Sequence, residues 1–228
     1  MMLPSDVLAA VRRVVERAVA QGQAAGFVVA VARGDDPPAY VVAGADAAGA
    51  PLAADTLFPI SSLTKLGTAL AVLRLADAGE LAVADPLARH LPEAAAARDG
   101  ATLRHLLCHT GGLPMTYPEA AAAMALDLDW PAMARACLAT PPVRPAGDKV
   151  EYSSVGYNLL GTVVERATGQ PFASALAALV LDPLGVEGTI GVAPPRPAAR
   201  IAGVPGPNAG TPLDLYNSPF GLALGRPS

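Results

Sequence analysis

Apolar residues near the start of the chain recur at helical intervals. Val7, Leu8, Val11, Val14, Val15 and Val19 share one side, with Arg12, Arg13, Glu16 and Arg17 on the other, which predicts a helix from Ser5 or Asp6. Gly22 and Gly26 end it. Phe27 to Ala32 is a short β-branched run, stopped by Gly34-Asp35-Asp36-Pro37-Pro38, and Tyr40 to Ala43 follows at once. Two such runs across a Gly/Asp/Pro turn predict an antiparallel hairpin. A loop rich in Ala, Gly and Asp then leads from Gly44 to Asp55. Beyond it, Leu63, Leu66, Leu70 and Leu73 recur at spacings of three, four and three, predicting a helix that buries this leucine stripe and stops at Gly79.

Further along, Thr102 caps a predicted short helix through Leu103, His105, Leu106 and Leu107. It ends in Cys108-His109-Thr110-Gly111-Gly112-Leu113-Pro114, where glycines and proline force a sharp turn. Residues 118–139, with Trp130, read as a helical excursion, and a Pro/Gly loop delivers the chain to Val150-Glu151-Tyr152-Ser153-Ser154. A helix through Leu159, Leu160, Val163 and Val164 follows and ends at Gly169, and another spans Ala173 to Leu181. Eight of the 23 prolines fall between Pro194 and Pro227, so no long helix or alternating strand is expected there. The expected division is one domain over 1–193 and an extended segment over 194–228.

The net charge is −4, with no basic stripe, which argues against nucleic acid and anionic lipid as partners. No uncharged apolar run reaches the roughly 18 residues of a membrane span. The first residues lack the basic and apolar regions of a signal peptide. Cys108 and Cys137 make no disulfide framework, which fits a cytoplasmic location. The histidines and cysteines lack zinc-ligand spacing, and no metal or cofactor is expected.

Ser62 and Lys65 are the first candidates for chemistry. Three residues apart on a helix, they lie about 5–6 Å apart at Cβ, and an amine beside a hydroxyl can help remove its proton. The competing reading is an N-cap serine followed by a surface lysine. Tyr152 is the second candidate. Its phenol, ordinarily near pKa 10, becomes a usable base when a lysine ammonium stabilises the phenolate; the bland reading is a tyrosine bonded to backbone. His109 is expected to be structural, its ring satisfying carbonyls at a helix end. Cys108 and His109 do not face each other on a helix, which argues against a Cys–His pair.

Several blocks occur together in order: Phe58-Pro59-Ile60-Ser61-Ser62-Leu63-Thr64-Lys65, Asp85-Pro86-Leu87, Leu91-Pro92-Glu93, Leu106 to Pro114, Tyr152 to Gly161, and Pro183-Leu184-Gly185. In this the chain resembles the serine β-lactamase superfamily, in particular the class C β-lactamase-like esterases, D-aminopeptidases, acyltransferases and penicillin-binding-protein-like members. The resemblance implies an α+β fold, with a helical domain on an antiparallel sheet. It also implies Ser62 as the acylated nucleophile, Lys65 as its proton acceptor or electrostatic partner, and Tyr152 as general base and then acid. The Ser62 N–H would form half of an oxyanion hole, and Ser154 and Tyr117 would contact a small ester or amide substrate.

Two departures qualify the resemblance. The family's second motif usually reads Tyr-x-Asn, and here the third place is Ser154, which offers one donor where an amide offers two. That favours an esterase or acyltransferase over a β-lactamase or D-aminopeptidase. The later strand with a Lys/His-x-Gly motif is also not found before Ser228. The sheet is therefore expected to be incomplete in this chain, with a second chain as one way of completing it. The reading of another class is an inactive fragment that binds a partner or ligand in the same cleft.

Overall fold

Helix α1 (Ser5–Ala20) forms where the apolar periodicity predicts it. Leu8, Val11 and Val19 are partly buried and Val15 is buried, while Val7 and Val14 face outward. Strands β1 (Gly26–Val31) and β2 (Ala39–Gly44) pair antiparallel, in a register running from Gly26 opposite Gly44 to Val31 opposite Ala39. Tyr40 points out and Val41 is buried, the alternation expected of a half-covered strand. These elements belong to one unit, in the N-terminal 59 residues, and a second unit begins at Ile60. The computed structural model describes residues 5–46, 49–58, 60–118 and 130–186. The fold is α+β, and its sheet has two strands among the described residues. The expected segment 194–228 lies outside the described residues, as does the first part of the 118–139 excursion.

The second unit is helical. A 3₁₀ turn (Ser61–Leu63) leads into α2 (Thr64–Asp77), followed by α3 (Leu87–His90) and α4 (Leu103–Leu107). Helix α5 (Trp130–Ala139) precedes the long α6 (Ser154–Thr168). Last comes α7 (Phe172–Leu176), which widens into a π-helical turn over Ala177–Leu181 where a continuous helix was expected. Thr102 caps α4 as its sequence predicts. Its Oγ1 accepts from His105 N–H at 3.3 Å, and His105 Nδ1 accepts from Thr102 N–H at 3.3 Å, a reciprocal arrangement that satisfies two otherwise orphaned donors.

At the centre is α6, in which every residue from Val155 to Val164 is buried. Ser153 caps it, its Oγ accepting from Gly156 N–H at 3.0 Å, and Gly169 ends it at φ +67°. It packs against α2, α4, α5 and α7, and Val72, Leu75, Leu103, Leu106 and Phe172 complete the core around it. Cys137 of α5 is fully buried and takes a hydrogen bond from Asn158 Nδ2 at 3.5 Å. Burial pushes its thiol up to about 11 against the opposing effect of that bond, so it packs rather than reacts.

Helix α2 corrects the sequence reading. The predicted stripe of Leu63, Leu66, Leu70 and Leu73 is exposed, at 62, 67, 44 and 45 %, whereas Thr64, Lys65, Thr68, Ala71, Val72 and Leu75 are buried. The buried face passes close to α7. A Cβ on Gly67 would lie 3.3 Å from Leu176 Cδ1, so a small residue there sets the approach.

The Asp85-Pro86-Leu87 and Leu91-Pro92-Glu93 blocks are structural. Asp85 accepts from Ala82 N–H at 2.9 Å and from Arg89 at 3.0 Å, and its other near partner is His90 Nε2 at 3.0 Å. The Ala82 bond first, then the His90 bond, hold this carboxyl below its usual range against the cost of burial. Glu93 forms an ion pair with Arg166 of α6, which also donates to the His90 carbonyl.

Candidate active site

Ser62 is exposed in the 3₁₀ turn, one turn before the body of α2. Ser61, just before it, has φ +46°, a conformation uncommon for a residue with a side chain and one that recurs at functional sites. Because Lys65 follows at i+3, the helix sets its amine beside the Ser62 hydroxyl, and Lys65 Nζ donates to Ser62 Oγ at 3.4 Å. Lys65 is nevertheless 93 % removed from solvent, with 7 % exposure. Its ammonium lies 4.9 Å from the ring centroid of Tyr152 and 5.7 Å from that of Tyr157, faces that attract a cation.

Tyr152 arrives from ninety residues away in sequence, and its hydroxyl donates to Ser62 Oγ at 2.7 Å. Partial burial pushes its phenol upward. Hydrogen bonds with Lys65 and Ser62, the Lys65 charge and a bond with Ser154 together outweigh that and hold it below its ordinary value. Phenolate is therefore more accessible here than in free tyrosine. The structure thus brings Ser62, Lys65 and Tyr152 together, with Ser154 beside them. Tyr117 is buried, at 7 % exposure, among the hydrophobic core residues. Among the described residues no group of acidic, histidine or cysteine side chains is arranged to hold a metal.

The segment carrying Tyr152 is fastened to the turn after α4. Glu151 N–H donates to the His109 carbonyl at 2.8 Å, Ser153 N–H to His109 Nδ1 at 3.1 Å, Ser153 Oγ to the Pro114 carbonyl at 2.7 Å, and Ser154 N–H to the Met115 carbonyl at 2.9 Å. His109 ring nitrogen therefore accepts from an amide, where sequence reasoning expected the ring to satisfy carbonyls. Its ring also lies 4.8 Å from that of Tyr152 and 4.9 Å from that of Tyr157. The Gly111-Gly112 pair signals a tight turn, but nothing in the sequence says that the turn grips residues forty positions later.

Gly112 makes that turn possible. It has φ +70°, and a Cβ there would collide with the Arg144 carbonyl oxygen, while Val143 N–H donates to the Gly112 carbonyl at 2.8 Å. Gly112→Ala should lower stability by about 2–4 kcal/mol, from left-handed strain plus a backbone collision that cannot relax cheaply. Urea denaturation checks this, and an unchanged midpoint would show that the turn has room to move.

The Beta-lactamase family model matches residues 11–222. Esterase EstB of Burkholderia gladioli is 40 % identical over 156 residues, covering 61 % of this chain and 40 % of EstB. The solved D-amino acid amidase of Ochrobactrum anthropi SV3 is similar at TM-score 0.76 and 26 % identity, over 87 % of this chain and 56 % of the amidase. The structure of EstCE1, described as a hydrolase with promiscuous acyltransferase activity, is similar at TM-score 0.66 and 27 % identity, over 78 % of this chain and 51 % of that one. The chain spans about two fifths of the length of EstB and of similar curated relatives. With a match from residue 11 to residue 222, the chain belongs to the β-lactamase family, within the serine β-lactamase superfamily.

Proposed function

We propose that this chain carries the acylating machinery of a serine hydrolase that cleaves small carboxylic esters through a covalent acyl-enzyme. The observation that carries the reading is the single oxygen, Ser62 Oγ, 2.7 Å from the Tyr152 hydroxyl and 3.4 Å from Lys65 Nζ. Ionised Tyr152 takes the Ser62 proton as Oγ attacks the ester carbonyl carbon. The carbonyl π electrons move to oxygen, and the Ser62 N–H donates to the resulting oxyanion. Collapse of this intermediate expels the alkoxide, which recovers the proton from Tyr152. Water, deprotonated by the same phenolate, then attacks the acyl carbon; the bond to Ser62 Oγ breaks, the acid leaves, and Tyr152 returns the proton to Oγ, which regenerates Ser62 and the phenolate. Lys65, beside the same oxygen, stabilises the phenolate.

Two features favour an ester over an amide or a β-lactam. Ser154 stands where an asparagine would bind a substrate amide, and the 40 % identical relative is an esterase by name. The test is intact mass after incubation with an alkyl phosphonate ester, together with turnover of p-nitrophenyl acetate and a chromogenic cephalosporin. One adduct at Ser62 and faster ester than cephalosporin turnover are expected. A folded chain that takes no adduct would overturn the hydrolase reading, and faster cephalosporin turnover would overturn the ester preference.

A further inference from the structure

His109 is tied to both neighbours of Tyr152. Its carbonyl takes the Glu151 N–H at 2.8 Å, and its ring Nδ1 takes the Ser153 N–H at 3.1 Å. The residue between them is thereby held at two points, and the His109 ring supports it from the side at 4.8 Å. An amide N–H can only donate, so Nδ1 must be unprotonated, and the proton of the neutral ring sits on Nε2. His109 also has φ +56°, a backbone conformation that histidine and asparagine accept more readily than most residues. A left-handed backbone, a fixed tautomer and a ring packed on a second aromatic all meet at one residue beside Tyr152.

We propose that His109 is a positioning residue for Tyr152: its neutral imidazole, by accepting the Ser153 N–H and packing on the phenol ring, keeps the Tyr152 hydroxyl in reach of Ser62. The inference rests on the reading of Tyr152 as the base. Protonated His109 cannot accept that N–H, so the support is lost when the ring gains a proton. Of the groups around it, the Lys65 charge opposes that gain. Lys65 projects from α2, the Tyr157 phenol from α6 and Tyr152 from its own segment, Cys108 precedes it, and the nearby Glu151 carboxylate is paired with Arg144 at 2.8 Å. Burial first, and the Lys65 charge second, hold the imidazole below its usual value.

The sign follows directly. With a folded value below the unfolded one, the stability contributed by neutral His109 is full above its ordinary value of about 6.5 and is lost as pH falls through the depressed folded value. Activity depends on the same proton. Log rate should rise with a slope of about one per pH unit where only the phenol titrates, and steepen towards two below the His109 value.

The experiment compares wild type with His109→Ala, His109→Asn and His109→Phe, measuring the phosphonate acylation rate across pH, with thermal melting alongside. Asparagine keeps an acceptor near the Nδ1 position and tolerates the backbone; phenylalanine keeps the ring alone. His109→Ala is expected to acylate about 10²-fold more slowly, the scale of a small misplacement of a reacting group. His109→Asn should recover most of that rate and lose the steeper acid limb. His109→Phe should stay slow. Equal rates in wild type and His109→Ala would overturn the proposal, as would a loss in all three variants that simply follows their melting temperatures. If wild type takes no adduct, the hydrolase reading fails by itself, and the positioning role is read from tyrosinate absorbance with a Tyr152→Phe background subtracted. Tyr152 should then titrate nearer its ordinary value in His109→Ala; an unchanged titration would overturn the proposal.

Discussion

Ser62→Ala leaves a folded chain with no phosphonate adduct and no ester turnover above background. Ser62 is exposed in a one-turn 3₁₀ segment, so losing its hydroxyl opens no cavity, and a surface change of this kind costs within about 0.5 kcal/mol. Its functional cost is of another order. Lys65 and Tyr152 both aim at the one atom removed, and neither supplies a nucleophilic oxygen in its place once Ser62 Oγ is gone. In serine hydrolases with a complete site, deleting the nucleophile lowers kcat by about 10⁶-fold. Intact mass and p-nitrophenyl acetate hydrolysis, run on wild type and variant together, give the answer. An adduct that survives in Ser62→Ala would place the nucleophile elsewhere, and peptide mapping would then be directed first at the exposed Cys108 thiol.

How much of this was legible in the sequence depends on whether the cause is local. The N-terminal helix, the hairpin and the Thr102 cap are set by spacing, turn residues and one side-chain oxygen, all within a few positions. The closeness of Ser62 and Lys65 is local too, since helical geometry alone brings residues three apart together. Helix α2 is the instructive failure. Its leucine stripe satisfied the periodicity, yet Val72, Leu75 and several small residues gave the opposite side enough apolar surface to be buried instead. That side carries Lys65, and only the tertiary structure says which of two apolar sides faces inward. The link from His109 to Ser153 spans 44 residues; no local pattern encodes it, and local chemistry alone predicts a ring bonded to its immediate surroundings. The meeting of Tyr152 with Ser62 came from the joint order of motifs rather than from spacing.

Tyr152→Phe should lower acylation by about 10²–10⁴-fold, the range of a lost general base, while the chain melts at nearly the wild-type temperature. The substitution removes one oxygen and keeps the ring that packs against His109 at 4.8 Å and lies 4.9 Å from the Lys65 ammonium. The deleted hydroxyl belongs to a side chain that is 44 % exposed, so no buried acceptor is orphaned; Ser62 Oγ keeps its contact with Lys65. Stability and rate therefore separate, which a merely structural tyrosine would not allow. The pH profile gives a second discriminator. In wild type the rate should rise with pH until the phenol is ionised and then level off, at a value below about 10 because Lys65 and Ser62 outweigh the effect of burial. Tyr152→Phe should lack that limb, since the group that titrates is gone. If the variant acylates at the wild-type rate, Lys65 alone deprotonates Ser62, and Tyr152 becomes a wall of the cleft. If it is slow but keeps the wild-type limb, the limb belongs to another group, and the assignment of the base to Tyr152 fails.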